Sequence, residues 1–126
     1  MKKLIVDLDG TITLANTNDY ENVAPNLEVI AQLQHYHRQG FTITISTARN
    51  MRTYNGNVGQ INIHTLPIIT AWLSKHHVPY DEILVGKPWC GHDGFYIDDK
   101  AIRPSEFTSL SLDEINALLD KEKICF

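Results

Sequence analysis

Asp7 and Asp9 stand two residues apart directly behind the short apolar run that ends at Val6. In an extended backbone residues i and i+2 project to the same side, so two like charges meet there and call for a cation. With no cysteine or histidine beside them the donors are hard oxygens, and Mg²⁺ is the cation that suits them. Taken alone, Asp-Leu-Asp-Gly-Thr reads more readily as a solvated turn. Three further segments change the weighing. Ser46-Thr47-Ala48-Arg49 carries a hydroxyl and a guanidinium, both suited to anionic oxygens, Gly86-Lys87-Pro88 an ammonium, and Asp98-Asp99-Lys100 two more carboxylates. Each follows an apolar run, and four such ends in order are hard to attribute to solvated turns.

The elements that must hold these residues follow from periodicity. Lys3–Val6, Phe41–Ile45, Glu82–Val85 and Phe95–Ile97 read as short buried strands. Thr11–Glu21 is polar and aperiodic, which predicts a loop or small hairpin. Pro25 opens a helix whose apolar positions Leu27, Ile30 and Leu33 recur at helical spacing up to the stop at Gly40. Asn50–Asn62 predicts a long irregular excursion. Thr65 caps a second helix with Pro67 in its first turn and Ile68, Ile69, Trp72, Leu73 and His76 along one stripe. Ser111 and Glu114 form a capping-box pattern that starts the last helix. Strands alternating with helices predict an α/β fold: a doubly wound, mainly parallel sheet flanked by helices and joined by right-handed crossovers. Ligands bind such sheets beyond the carboxyl ends of the strands, where all four polar segments lie.

Composition narrows the partners. The chain has 126 residues, 11 Lys plus Arg against 15 Asp plus Glu, and a net charge of −4. That describes a single domain over residues 1–126, and the acidic balance argues against a nucleic-acid groove. Cys90 and Cys125 have no partner spacing for zinc or redox chemistry and make no disulfide framework. Asp7 and Asp9 interrupt the N-terminal apolar run, so no signal peptide or membrane span is expected and the setting is cytoplasmic.

In these four segments the chain resembles the haloacid dehalogenase-like superfamily of aspartate-nucleophile phosphohydrolases. Asp7-Leu8-Asp9-Gly10-Thr11 is similar to its first motif, Thr47 to the second, Lys87 to the third, and Asp98-Asp99 to the fourth. The resemblance implies that Asp7 attacks phosphorus and that Asp9 serves as general acid and then base. It implies that Mg²⁺ is held by Asp7, the Asp9 main-chain carbonyl and Asp98, with Asp99 completing or orienting the shell. Lys87 and the Thr47 hydroxyl would stabilise the transferring phosphoryl group. Asp9 favours phosphatase or phosphotransferase chemistry over dehalogenation. The fourth motif departs from the family pattern in being an adjacent Asp-Asp pair followed by Lys100. The stretches Ser46–Tyr54, Asn62–Pro67, Val85–Gly91 and Phe95–Pro104 are similar to small phosphatases of bacterial capsule or surface-polysaccharide synthesis. That narrower likeness implies a phosphorylated sugar or sugar acid as substrate.

Only fifteen residues, 10–24, separate Asp9 from Pro25, too few for the cap domain that many superfamily members carry. An uncapped site is open, which suits a bulky substrate or closure by another subunit in a homo-oligomer such as a dimer or tetramer. Arg49 and Arg52 are candidates to bind substrate, with Tyr54 beside them; Trp89 and His92 flank Lys87. The competing reading is that Arg49, Arg52 and Tyr54 cap helix ends or pair with Asp and Glu on the surface, and that Trp89 and His92 only pack a turn. His35 and His37 face different ways on a helix, which argues against a zinc site. Two rival functions stay open: a polynucleotide or nucleotide phosphatase, and a module phosphorylated at Asp7 without turnover.

Overall fold

The structure is a computed structural model; it describes residues 2–15 and 17–124, the last by its backbone alone. Two compact units divide the chain, residues 1–89 and 90–126.

The first unit is built on a three-stranded parallel sheet in the order β1-β2-β3, with β1 at Lys3–Val6, β2 at Thr42–Thr47 and β3 at Glu82–Val85. Leu4 pairs with Ile43 and Val6 with Ile45, and on the other side Ile45 pairs with Ile83 and Thr47 with Val85. β2 has a neighbour on each edge and is buried at four of its six positions, whereas β1 and β3 alternate between exposed and half-buried. The α/β class therefore holds. β2 runs two residues beyond the expected Phe41–Ile45, because its ladder to β3 continues through Ser46 and Thr47. This extension carries the Thr47 hydroxyl to the carboxyl end of the sheet.

α1 (Leu27–Arg38) buries Val29, Ile30, Leu33 and Tyr36. It starts later than Pro25 suggests: Asn26 is the N-cap, its side chain accepting from the Val29 N–H at 3.3 Å, while Pro25 bridges Thr13. The cap contributes about 1 kcal/mol. The 11–25 segment is thus a small hairpin, closed by Leu14 N–H donating to Ala24 O at 2.9 Å and Asn26 N–H to Ile12 O at 2.8 Å. The buried Trp72 indole N–H donates to Val23 O at 2.9 Å and ties the hairpin to a helix behind it.

A helix, α2 (Val58–His64), starts within the stretch expected to be irregular and runs two residues past its end, capped by Asn57 accepting from Gln60 N–H. Only Ile61 is buried on it, too sparse a pattern for periodicity to find. α3 (Leu66–Lys75) follows at once and buries Ile69, Trp72 and Leu73. Thr65 stands at its N-cap without a side-chain cap bond; its hydroxyl donates to Asn50 Oδ1 at 2.7 Å and holds the turn after β2 instead.

Among its described residues the second unit holds two helices. α4 (Pro104–Ser109), unanticipated, begins where Glu106 accepts from the Arg103 N–H at 2.8 Å. α5 (Leu112–Ile124) begins as predicted: Glu114 accepts from Ser111 N–H at 2.9 Å and Ser111 Oγ from Glu114 N–H at 3.2 Å. The strand expected at Phe95–Ile97 does not form. A strand exists through its ladder, and this unit, taken by itself, has no described strand for three apolar residues to pair with.

Candidate active site

Behind β1 the chain wraps around one carbonyl. Leu8 O accepts from the N–H groups of Thr11, Ile12 and Thr13 at 3.2, 2.9 and 3.1 Å, and Gly10 takes the positive φ of 80° that this wrap requires. Leu8 itself is buried, which anchors the loop and leaves Asp7 and Asp9 flanking it. The Thr13 hydroxyl, fully buried, accepts from Gly10 N–H at 3.0 Å and donates to Ala15 O at 2.9 Å. The first motif is therefore a rigid, hydrogen-bonded turn.

Asp7 lies between two donors. Thr11 Oγ1 donates to Oδ2 at 3.0 Å, and Lys87 Nζ stands 3.5 Å from Oδ1. The Asp7 side chain is 37% exposed, open enough to meet a ligand. Lys87 is aimed by its backbone, whose N–H donates to Thr47 O at 3.1 Å and continues the β2–β3 pairing by one residue. Gly86 turns the chain there at φ +86°; a Cβ at this position would stand 2.9 Å from Val58 Cγ2.

Asp9 is gripped by Arg49. Nε donates to Oδ2 at 3.0 Å and Nη2 to Oδ1 at 2.7 Å, a two-pronged pair with the Arg49 side chain 1% and the Asp9 side chain 21% exposed. Thr47, buried, accepts at Oγ1 from the Arg49 N–H at 3.1 Å, so the second motif sets the start of this arginine. Above the guanidinium lies the Tyr20 ring, its centroid 4.1 Å from Cζ. Burial is the main cause that raises the Tyr20 phenol above its ordinary 10.0; the Asp9 carboxylate adds to it and Arg49 opposes it. Nη1 of Arg49 is buried and has no hydrogen-bond partner among the described residues.

The first unit thus joins Asp7, Asp9, Thr47, Arg49 and Lys87 in one network at the carboxyl ends of β1, β2 and β3. Arg52 is exposed on the following turn, and Tyr54 stacks on His64 with centroids 5.6 Å apart. Asp98 and Asp99 belong to the second unit. Both are exposed; Asp98 Oδ1 accepts from Lys100 N–H at 2.8 Å, and Asp99 lines a shallow hollow with Lys100, Asn116, Leu119, Asp120 and Lys123. Among the described residues no three His, Cys, Asp or Glu side chains form a ready metal cluster. Sequence reasoning missed Tyr20. Nothing local marks one aromatic in an Asn- and Thr-rich loop; the only usable signal was that Arg49, placed at a strand end, needs a cover if buried.

The first unit offers a half-open carboxylate beside an ammonium and a hydroxyl, with a second carboxylate held in a fixed orientation. That arrangement suits attack on an electrophile bearing anionic oxygens.

The sequence model of the haloacid dehalogenase-like hydrolases matches residues 4–72, which include Asp7, Asp9, Thr47 and Arg49. No curated protein matches the chain. Among solved structures, the crystal structure of a structural-genomics target from Vibrio cholerae is 76% identical, covers 97% of this chain and 99% of its own, and superposes with a TM-score of 0.95. A chain of the Pnkp1/Rnl/Hen1 complex is 23% identical over 86% of this chain and 34% of its own, with a TM-score of 0.51, a likeness of fold alone.

Proposed function

This chain belongs to the haloacid dehalogenase-like hydrolases, and from that premise we propose that it is a Mg²⁺-dependent phosphatase working through an aspartyl-phosphate on Asp7. The observation that carries the reading is the setting of Asp7: a partly open carboxylate, Lys87 Nζ 3.5 Å from one oxygen and the Thr11 hydroxyl on the other. A carboxylate approaching a phosphate needs positive charge and donors beside it.

An Asp7 oxygen bonds to phosphorus as the bond from phosphorus to the leaving-group oxygen breaks, and Asp9 gives its proton to the leaving-group oxygen, which departs as the alcohol. Asp9 then takes a proton from water, whose oxygen attacks phosphorus and releases inorganic phosphate and the Asp7 carboxylate. Lys87 and Thr47 stabilise charge on the phosphoryl oxygens. Within the first unit Asp7 and the Asp9 carbonyl would offer Mg²⁺ hard oxygen and neither thiol nor imidazole, and the fourth-motif likeness would assign Asp98 and Asp99 to the same cation. When bound, the cation neutralises phosphate charge next to the nucleophile. We assign substrate binding to Arg52 and Lys87, whereas Arg49, expected from the sequence to join them, is buried against Asp9 and serves to orient it; the substrate class is a sugar or sugar-acid phosphate of surface-polysaccharide synthesis, in the cytoplasm, on the likeness of the four motif stretches. No helix among the described residues is long and apolar enough to cross a membrane.

The test is phosphate release from p-nitrophenyl phosphate with and without Mg²⁺, then from a panel of sugar phosphates, nucleotides and 3′-phosphorylated oligonucleotides. Mg²⁺-dependent release abolished in Asp7→Asn is expected, with sugar phosphates preferred. Turnover by Asp7→Asn without a trappable acyl phosphate refutes the nucleophile, and preference for the oligonucleotide refutes the substrate class. A stable phosphorylated Asp7 without release would make the chain a phosphoacceptor.

A further inference from the structure

We infer that Tyr20 is a positioning residue of this site, clamping Arg49 so that its guanidinium holds both oxygens of Asp9 in one orientation. The inference rests on the reading of Asp9 as proton donor and acceptor.

Three features of the geometry lead to it. First, Arg49 reaches Asp9 with Nε and Nη2, at 3.0 and 2.7 Å, so the carboxylate plane is fixed by two bonds rather than one. Second, the Arg49 side chain is 1% exposed although Nη1 has no partner among the described residues. An unsatisfied buried N–H group is unfavourable, so the guanidinium stays dry only because something covers it. The Tyr20 ring, 4.1 Å from Cζ, lies over it, and an aromatic face attracts a cation without needing to accept from a particular N–H. Third, Tyr20 is part of an anchored segment. The Thr13–Pro25 bridge closes the hairpin that contains it, and Trp72 ties Val23 to α3. The ring thus has a fixed support and the arginine has a fixed start at Thr47.

A clamp of this kind acts on rate rather than on substrate affinity. Asp9 has to stand in line with the leaving oxygen, and a misplacement of about 1 Å can cost on the order of a hundredfold. Tyr20→Phe keeps the ring and its face, whereas Tyr20→Leu keeps bulk and loses the face.

The experiment compares the full chain with Tyr20→Phe, Tyr20→Leu, Arg49→Lys and the Tyr20→Leu/Arg49→Lys pair on p-nitrophenyl phosphate with Mg²⁺. Tyr20→Phe is expected within about twofold of the parent. Tyr20→Leu is expected to lower kcat about tenfold or more with KM within about twofold, and the double variant to fall little below Arg49→Lys, because both changes release the same carboxylate. The Arg49 Nε–H resonance, followed by NMR, is expected to be protected from solvent exchange in the parent and Tyr20→Phe and to lose that protection in Tyr20→Leu. This measurement needs no activity. A Tyr20→Leu protein with unchanged kcat, or an unprotected Nε–H in the parent, overturns the clamp while Asp9→Asn remains inactive. Full turnover by Asp9→Asn instead overturns the premise.

Discussion

The Asp9–Arg49 pair makes an asymmetric prediction about stability. Removing one partner of a fully buried ion pair costs about 3–5 kcal/mol, mostly from the charge left behind, whereas an exposed pair contributes about 0–1 kcal/mol. The two partners here differ: the Arg49 side chain is 1% exposed and that of Asp9 21%. Asp9→Asn leaves the buried guanidinium facing a neutral amide, so its cost falls at the lower end of the buried range, about 3 kcal/mol. Arg49→Met leaves a carboxylate that can still reach water, and the methionine replaces the aliphatic stem, so its cost is smaller, about 2 kcal/mol. The assay is urea unfolding followed by tryptophan fluorescence. Trp72 is 3% exposed and bonded to Val23, so its signal reports on the first unit. The expected order is Asp9→Asn below Arg49→Met, with the double variant less destabilised than the sum of the two. The opposite order, or costs below about 0.5 kcal/mol for both, refutes the reasoning, since such surface-like values would mean that the pair is solvated.

Gly86→Ala adds a Cβ at φ +86° against Val58 Cγ2 and is expected to destabilise by about 1–3 kcal/mol and to lower kcat by displacing Lys87. Gly40→Ala, at φ +95° with nothing within 4 Å, is expected to cost about 1 kcal/mol and leave kcat unchanged; equal activity losses in the two would refute the argument. Lys87→Met should lower kcat on the order of a hundredfold in steady-state assays while thermal unfolding barely moves, as expected for an ammonium placed for the reaction. The Thr44 hydroxyl bond, then the Lys3 bond and charge, hold the Glu82 carboxyl below its ordinary 4.5. With the folded value depressed, its stabilisation is present above about pH 4.5 and fades as pH falls through the folded value, so the stability gap between the parent and Glu82→Gln should close on acidification.

The placement of Asp7, Asp9, Thr47, Arg49 and Lys87 at the strand ends was legible in the sequence, because each belongs to or follows an apolar run that pairs in the parallel sheet. β1 and β3 lie where periodicity placed them, and Ser111 with Glu114 opens α5 as the capping pattern said. α2 and α4 were not legible: one buries a single residue and the other none, so neither has an apolar stripe to read. The Phe95–Ile97 strand failed because an apolar triplet signals burial and says nothing about which neighbour would supply its ladder. Pro25 misplaced the start of α1 because its bridge to Thr13 depends on a contact twelve residues away.

By itself the sequence determined the class of fold and the identity of the polar groups at the strand ends, since both depend on local pattern. Only the tertiary structure decided how those groups are held. Arg49 reads in sequence as a cation available to substrate; in the fold it is buried, bonded to Asp9 on one side and covered by Tyr20 on the other. Asp9 and Arg49 lie forty positions apart and Tyr20 lies between them in the chain. No local pattern encodes their meeting, because the packing of the 11–25 hairpin and the register of β1 on β2 bring them together.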